Sequence, residues 1–410
     1  MVRTKENRRI QALEHTRWLW GQVNSSPLLV LSEGGRPEGL LHAAKQMFHL
    51  ILSLFLVAFT LSEVEGQDSV KVEGLGSAIN SEFADYHPLI SADESVLFFT
   101  SRRENTTGGG KDPDFDIYYE DIYVSHKKDS VWALAINPGY PLNTTGHDAA
   151  LGLSPDGQRL FIYRDGDIYE SKLEGPDWLE PVKLNKNVNS KHRETSACYS
   201  FDGVTMYFVS DRPGGFGGTD IYVSEIGGDG KWGEAVNLGS QVNTGQNEDA
   251  VFMHPDGKTL YFSSQGHNNT GGYDIFKSVQ QDNYVPRETK DGEPALSSLV
   301  TGTVEAAEGP AQSAAEGWST PENLGAPINT TGDDVFFVLA ANGKRGYYSS
   351  SKPGGSGEKD IYVITYLKKT NKPELTLVKG RITDENKNPI EADIEVTDSK
   401  TNEIIARAKS

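Results

Sequence analysis

Five carboxylates recur at one fixed distance from a repeated Asn-Ser or Asn-Thr step. The step falls at Asn80, Asn143, Asn189, Asn243 and Asn329, and five residues downstream stand Asp85, Asp148, Glu194, Glu248 and Asp334. If the copies pack around an axis, these groups form a ring near one mouth of the central channel. Two uses fit such a ring. Converging carboxylates repel unless a cation neutralises them, which gives a metal site or a seat for a basic partner. Alternatively, each carboxylate accepts hydrogen bonds from nearby backbone and fixes its own loop. The sequence leaves both open.

Other polar groups are candidates by the same logic. Arg102, Arg103, Arg212 and Lys352 follow apolar runs on the carboxylate side, and with Phe216 and Tyr273 they suggest a mixed surface that binds a protein or glycan. Asp112, Asp114 and Asp116, followed by Glu120 and Asp121, have the alternate spacing of calcium ligands but lack the glycine and terminal glutamate of an EF-hand loop. A solvated acidic loop is the competing reading, and no other cofactor is expected. A second series, Asp121, Asp167, Asp220, Asp274 and Asp360, opens each Asp-Ile-Tyr/Phe segment and is expected to cap the loop before it. His87, His147, His192 and His254 show no ligand spacing. No nucleophile elbow, zinc-protease helix motif or phosphate loop is present, so a non-enzymatic role is expected.

The elements that position these residues follow from the same repeat. Thirteen residues after each Asn comes a turn former: Asp93, Asp156, Asp202, Asp256 or Asn342. An apolar pair follows at Phe98-Phe99, Phe161-Ile162, Tyr207-Phe208, Tyr261-Phe262 and Tyr347-Tyr348. Trp132, Trp178, Trp232 and Trp318 each precede the next Asn by 11 residues, and Asn189 to Asn243 gives an uninterrupted unit of 54. Units of that length made of short strands are propeller blades. In one unit the expected strands are a (249–254), b (258–264) and c (274–278), with strand d exemplified by 232–238; the Asp-Gly turn between a and b supplies the positive φ that a tight hairpin needs. The fifth copy has no Trp after its strand c, while Val70–Leu75 has no preceding strands. The chain is therefore expected to be all-β, a five-bladed propeller of four-stranded blades over 69–367. Val70–Leu75 closes the last blade and removes two open sheet edges.

Composition narrows the partners. A net charge of −19 argues against nucleic acid, whose binders carry a basic stripe. The single cysteine, Cys198, rules out an intramolecular disulfide and reads as core filler. An Ala-, Glu- and Ser-rich stretch at about 283–314 interrupts the c-to-d connection of the fourth copy and is expected to be a disordered loop. Residues 1–46 show no repeat and read as a non-globular extension or an upstream mis-extension before a start at Met47. Residues 47–66 read as a signal peptide whose apolar core, 48–61, is short for a bilayer span; a membrane anchor is the alternative. Either way the repeats are expected to be exported.

Three segments together resemble a known family: Ser154–Ile162 with His254–Phe262, Ser210–Tyr222 (SDRPGGFGGTDIY), and Trp232–Thr244 with Trp318–Thr330. They look like the TolB-type, WD-like propeller repeats of Bacteroidetes OmpA-family envelope proteins. The tail, 377–410, resembles the start of a carboxypeptidase-regulatory-like β-sandwich, of which it is a part. The resemblance implies a periplasmic, outer-membrane-associated scaffold that docks envelope proteins on its top face through Asp85, Asp148, Glu194, Glu248, Asp334, Arg102, Arg212 and Lys352. It further implies that peptidoglycan is reached only through an OmpA-like domain, absent here, and that this chain is a fragment of a longer protein. A glycan-binding or glycan-processing propeller is the alternative.

Overall fold

The computed structural model describes residues 70–281 and 317–367, plus the backbone of two strands at 393–397 and 404–409. The extension, signal-peptide and 283–314 readings lie outside the described residues. The described residues contain strands and turns and no α-helix.

Five antiparallel sheets form the blades. Their strands a begin at the repeated carboxylates: Asp85–Ile90, Asp148–Leu153, Glu194–Tyr199, Glu248–Met253 and Asp334–Leu339. Strands b are Val96–Ser101, Arg159–Arg164, Thr205–Ser210, Thr259–Ser264 and Arg345–Ser350. Strands c are Asp121–Lys128, Asp167–Glu174, Asp220–Glu225, Asp274–Val279 and Asp360–Tyr366. The five strands a touch one another in a closed cycle and so surround the axis. Val70–Gly74 pairs antiparallel with Asp360–Tyr366, from Val70 opposite Tyr366 to Gly74 opposite Tyr362, so the N-terminal strand completes blade 5 as expected. At the C-terminal end, Asp393–Thr397 and Ile404–Lys409 form an antiparallel pair.

Strand d departs from expectation. In place of a continuous 232–238 strand, only Val236–Asn237 pairs with strand c, and Trp232 makes a separate bridge to Ile226. Between these points the chain bows out. Ser224 Oγ donates to the Gly233 carbonyl (2.9 Å), and Ser125, Ser171 and Ser278 do the same to Ala133, Leu179 and Ser319 (each 2.6 Å). A serine hydroxyl thus takes the bond that the ladder would have made, and Pro181 and Pro321 in two of the bows have no N–H to offer it.

Three repeated contacts explain the repeated residues. Each Trp packs on the first ring of the apolar pair in the preceding blade. Trp178 meets Phe98, Trp232 meets Phe161, Trp318 meets Tyr207, and Trp132 meets Tyr347 of blade 5, with centroids 5.9 to 6.5 Å apart. Each Asn side chain imitates a missing strand: Asn243 Oδ1 accepts the Ile221 N–H (2.8 Å) and its Nδ2 donates to the Ile221 carbonyl (3.0 Å). The same two-way pairing joins Asn80 to Ile361, Asn143 to Ile122, Asn189 to Ile168 and Asn329 to Ile275. Finally, the N–H that opens each strand a bonds the carbonyl just before the previous blade's strand c. Asp85 N–H to Lys359 O (2.8 Å) carries that pattern across the closure.

Candidate functional site

The face where strands a begin holds all five repeated carboxylates, and each is fully buried at 0% exposure. They are therefore not a surface for a partner, which corrects the expected role of Asp85, Asp148, Glu194, Glu248 and Asp334. Their own loops consume them. Asp148 Oδ2 accepts the Thr144 N–H (2.5 Å) and hydroxyl (2.7 Å), and the equivalent Ser or Thr hydroxyl reaches its carboxylate at 2.7 to 2.9 Å in the other four blades. The local-bonding reading of the sequence is the one the geometry favours.

In blades 1 to 3 an arginine sits over the carboxylate. Arg103 bonds Asp85 (2.9 Å), Arg164 bonds Asp148 (2.5 Å) and Arg212 bonds Glu194 (3.1 Å). Each guanidinium also donates to a carbonyl just before the repeated Asn: Ile79, Leu142 and Val188 respectively. Aromatic faces complete the seat. Arg212 lies 4.9 Å from both Phe208 and Tyr222, and Arg103 lies 4.9 Å from Tyr123. A buried carboxylate is costly unless it is paired or hydrogen-bonded, and the planar five-donor guanidinium does both at once.

Blades 4 and 5 use other groups. His267 Nε2 lies 2.9 Å from the Val242 carbonyl between Phe262 and Phe276. Lys352 Nζ lies 3.5 Å from the Tyr362 centroid and donates to the Tyr348 hydroxyl (3.1 Å). Burial raises the pKa of Glu248 and of Asp334, against the lowering effect of their loop hydrogen bonds. Burial also lowers that of Lys352, with Asp334 opposing it.

Of the basic residues read from sequence, Arg212 and Lys352 therefore serve this internal seat. Arg102 does not. Arg103 is the equivalent, two residues past Ser101 as Arg212 is past Ser210 and Lys352 past Ser350, and that shared offset is legible in the sequence. Arg164 and His267 fall outside it: Arg164 is the last residue of its strand b, opposite Asp148, and in blade 4 the shared offset holds Gly266, with His267 one residue further on.

Arg102 turns to a second cluster, between blades 1 and 2. Glu120 Oε1 accepts from both Arg102 and the Tyr86 hydroxyl, and Glu120 Oε2 lies 3.2 Å from His147 Nδ1. The other ring nitrogen, Nε2, meets Asp112 Oδ2 at 2.9 Å. His147 thus ties the hairpin Lys111–Asp112/Ile117–Tyr118 of the long blade 1 loop to blade 2. Burial works to raise the Glu120 pKa, but His147, Arg102 and Tyr86 together hold it at about 2. The hydrogen bond to Glu120 chiefly raises that of His147, against burial. The scan of histidines by ligand spacing misses this residue, because its partners come from a different loop.

The calcium reading of Asp112, Asp114 and Asp116 is corrected by the same cluster. Asp112 faces His147, its other oxygen accepts the Asp114 N–H (2.8 Å), and Asp116 reaches Lys111 (3.3 Å), so the three do not converge. Among the described residues no group of three histidine, cysteine or acidic side chains is arranged to hold a metal. Four of the five strand-c aspartates cap the preceding loops: Asp121 accepts from Thr107 N–H (2.5 Å), Asp220 from Phe216 N–H (2.8 Å), Asp274 from Thr270 N–H (2.6 Å) and Asp360 from Ser356 N–H (2.6 Å), whereas Asp167, after the short blade 2 turn, meets Lys183 (2.5 Å).

The Gly-rich loops interlock with the next blade. A Cβ on Gly217 falls 1.8 Å from the Gln246 carbonyl, and one on Gly357 falls 2.0 Å from that of Phe83, so only glycine allows the loops to meet. Two large aromatics remain exposed on these loops among polar neighbours: Phe115 is 71% exposed and Phe216 52%.

The axial channel narrows to a cavity of about 50 Å³ among His87, Leu151, Cys198, Val251 and Phe336. His87 stacks on Phe336 (4.1 Å) and its Nε2–H bonds the Leu151 carbonyl (3.1 Å). Burial brings its pKa down to about 3, against the raising effect of that bond. Cys198 is buried as expected, and burial pushes its thiol up to about 12.

No family model matches the sequence, and no curated protein matches it. Among solved structures, an α-L-arabinofuranosidase from Lactobacillus brevis aligns at 12% identity over 75% of this chain and 93% of its own, with a TM-score of 0.37. A TolB-annotated structure from Agrobacterium tumefaciens aligns at 14% over 73% of this chain and 97% of its own, with a TM-score of 0.31. Hydrazine synthase from Kuenenia stuttgartiensis aligns at 13% over 67% of this chain, which spans 58% of that chain, with a TM-score of 0.32.

Proposed function

We propose that this protein is a non-catalytic binding scaffold of the bacterial cell envelope, whose top-face loops dock a partner protein. One observation carries the reading. All five repeated carboxylates are buried and held by their own loops, so none stands free for acid-base chemistry. Among the groups the top face offers outward are two exposed aromatics, Phe115 and Phe216. Exposed aromatics on loops held by a rigid frame are what protein interfaces use as anchors. The likeness to OmpA-family envelope repeats supports export to the periplasm and an association with the outer membrane. It also supports, in a longer form of the protein, a link to a peptidoglycan-binding domain and a regulatory-like β-sandwich formed around the C-terminal strand pair. The glycan-processing alternative requires a free pair of carboxylates near the channel mouth, and the five at that mouth are spent on structure.

The test is in-cell cross-linking with mass spectrometry, comparing the native protein with Phe115→Ser and Phe216→Ser. Loss of the same envelope cross-links in both variants, with unchanged thermal unfolding, is expected. Cross-links that survive both substitutions, or glycan hydrolysis by the purified protein, overturn the proposal.

A further inference from the structure

The axial cavity beside His87 continues toward the other end of the channel. There, where strands a turn into strands b, a chamber of about 110 Å³ is bounded by Ala92, Pro155, Phe201, Pro255 and Ala341, one residue from each blade. Phe201, 51% exposed, marks its outer opening. Ile90, Leu153, Tyr199 and Phe252 line both this chamber and the inner cavity of about 50 Å³, so the two lie end to end along the axis. His87, 4% exposed, stacks on Phe336 (4.1 Å) across the inner end. The channel is thus a narrow pocket entered from one side.

Nothing along its wall calls for a polar ligand. Four lining side chains carry a polar atom, and each is engaged within the protein. His87 Nε2–H donates to the Leu151 carbonyl (3.1 Å), Cys198 Sγ accepts the Met253 N–H (3.3 Å), the Tyr199 hydroxyl donates to Glu170 (2.7 Å), and Ser154 donates to Asp156. The turns around the mouth are bonded within themselves as well: Asp93 accepts from Ser91 and Ser95, Asp202 from Thr205 and Asp256 from Thr259. A ligand here is recognised by its apolar part, and any head group stays in solvent.

The inner wall is held in an unusual backbone conformation. His87, Ala250 and Phe336 have φ of 54°, 56° and 59°, and among the described residues they are the three non-glycine residues inside strands with positive φ. Each sits at a register shift in its strand a, and all three line the inner cavity. Bulges re-aim side chains, and non-glycine residues with positive φ persist where their surroundings over-determine them, as at ligand sites. Here they gather around one cavity, on the adjacent blades 4, 5 and 1.

Size sets the shape of the ligand. A compact cavity of about 150 Å³ takes benzene, a ring of six carbons. Neither chamber is that large, but in line they hold about as many carbons as an extended chain.

We infer that this channel binds the unbranched alkyl tail of an amphiphile, with about six carbons inside and the end of the tail against His87. The site lies at the end of the blades away from Phe115 and Phe216, so it stands or falls independently of the top-face reading.

The probes are n-alkyl glucosides from butyl to octyl, each below its micelle concentration, titrated while following methyl resonances. Leu153 and Met253, at the outer chamber, are expected to shift with every chain. Leu151 and Val251, at the inner cavity, are expected to shift only from about hexyl onward. Affinity is expected to rise about fourfold per methylene up to about six carbons and then to level off, because further carbons stay in water. Hexanol is expected to bind as hexyl glucoside does, with salt leaving both unchanged. Ala92→Phe and Ala341→Phe, at half-buried positions of the mouth, are expected to abolish the shifts while thermal unfolding stays unchanged. The chain-length series uses the unaltered protein and decides the matter if either variant misfolds. In a protein that takes the glucosides, retention on phosphatidylcholine vesicles traces the tail to a bilayer lipid, and its absence traces it to a free amphiphile. Affinity independent of chain length, inner methyls that never shift, benzene bound as tightly as the hexyl chain, or full binding by well-folded filled variants overturns the inference.

Discussion

The five seats over the buried carboxylates answer one electrostatic problem in two ways. In blades 1 to 3 an arginine meets the carboxylate, a backbone carbonyl and an aromatic face together. In blade 4 a histidine takes the carbonyl and the rings, and in blade 5 a lysine takes the rings and a hydroxyl, with no ion pair to the carboxylate in either. The consequence appears in the acids: burial raises the pKa of Glu248 and Asp334, the two without a guanidinium. A fold with repeated geometry therefore does not require repeated charge. It requires that each buried carboxylate be held, by a guanidinium and loop hydrogen bonds in three blades and by loop and strand hydroxyl and N–H donors in two.

The largest effect expected from breaking this arrangement is at Arg212. Arg212→Ala leaves Glu194 buried without its cation and is expected to cost roughly 3–5 kcal/mol, as loss of one partner of a buried ion pair does. Lys352→Ala is expected to cost clearly less, because Lys352 makes no ion pair with Asp334, which its own loop holds through Thr330. Urea denaturation of the two variants side by side measures the difference, and equal losses erase the distinction between the two kinds of blade.

The next effect is a matter of pH. A carboxyl whose pKa is raised on folding adds stability that is fully present below its unfolded value and lost as pH rises through the folded value. Glu248→Gln and Asp334→Asn are therefore expected to be neutral, or stabilising by up to about 1 kcal/mol, at pH 7. Glu194→Gln, which removes a paired charge, is expected to destabilise by about 1–3 kcal/mol. Unfolding midpoints at pH 4 and pH 7 should bring the first two toward the native protein at neutral pH and leave the third below it throughout.

The smallest effect sharpens the same contrast in two histidines pushed in opposite directions, His147 up by its hydrogen bond to Glu120 and His87 down by burial. The His147 tie between Asp112 and Glu120 contributes below the ordinary histidine pKa and is lost as pH rises through the raised folded value. Glu120, held at about 2, contributes above its ordinary value and is lost as pH falls toward 2. The partly exposed tie is worth roughly 0–1 kcal/mol. Amide protection in the hairpin at 111–118, the exchange rate taken relative to that of the unfolded chain at the same pH, is expected to be greatest near pH 5 to 6 and to weaken on either side, whereas His147→Gln should flatten the alkaline side. An unchanged profile in that variant removes His147 from the role.

Much of this molecule can be read without coordinates. The repeated offsets place every strand a, b and c to within about a residue, and the missing Trp after the fifth strand c, matched by an orphan strand at Val70, gives five blades and the manner of closure. Local chemistry makes that possible: a two-residue period, an Asp-Gly turn and a Trp at a fixed distance are properties of neighbouring residues. Strand d resisted the same treatment, since a serine on strand c competes for its ladder.

The functional residues divide along the same line. Sequence alone determined that five carboxylates are equivalent and that each has Ser or Thr close by to bond. Only the tertiary structure decided that they are buried, that Arg164 faces Asp148 and His267 stands in the seat of blade 4, and that His147 joins two acids from a distant loop. Burial and pairing across blades depend on which loops meet after the ring closes, and loop lengths that differ from blade to blade hide those meetings from any count along the chain.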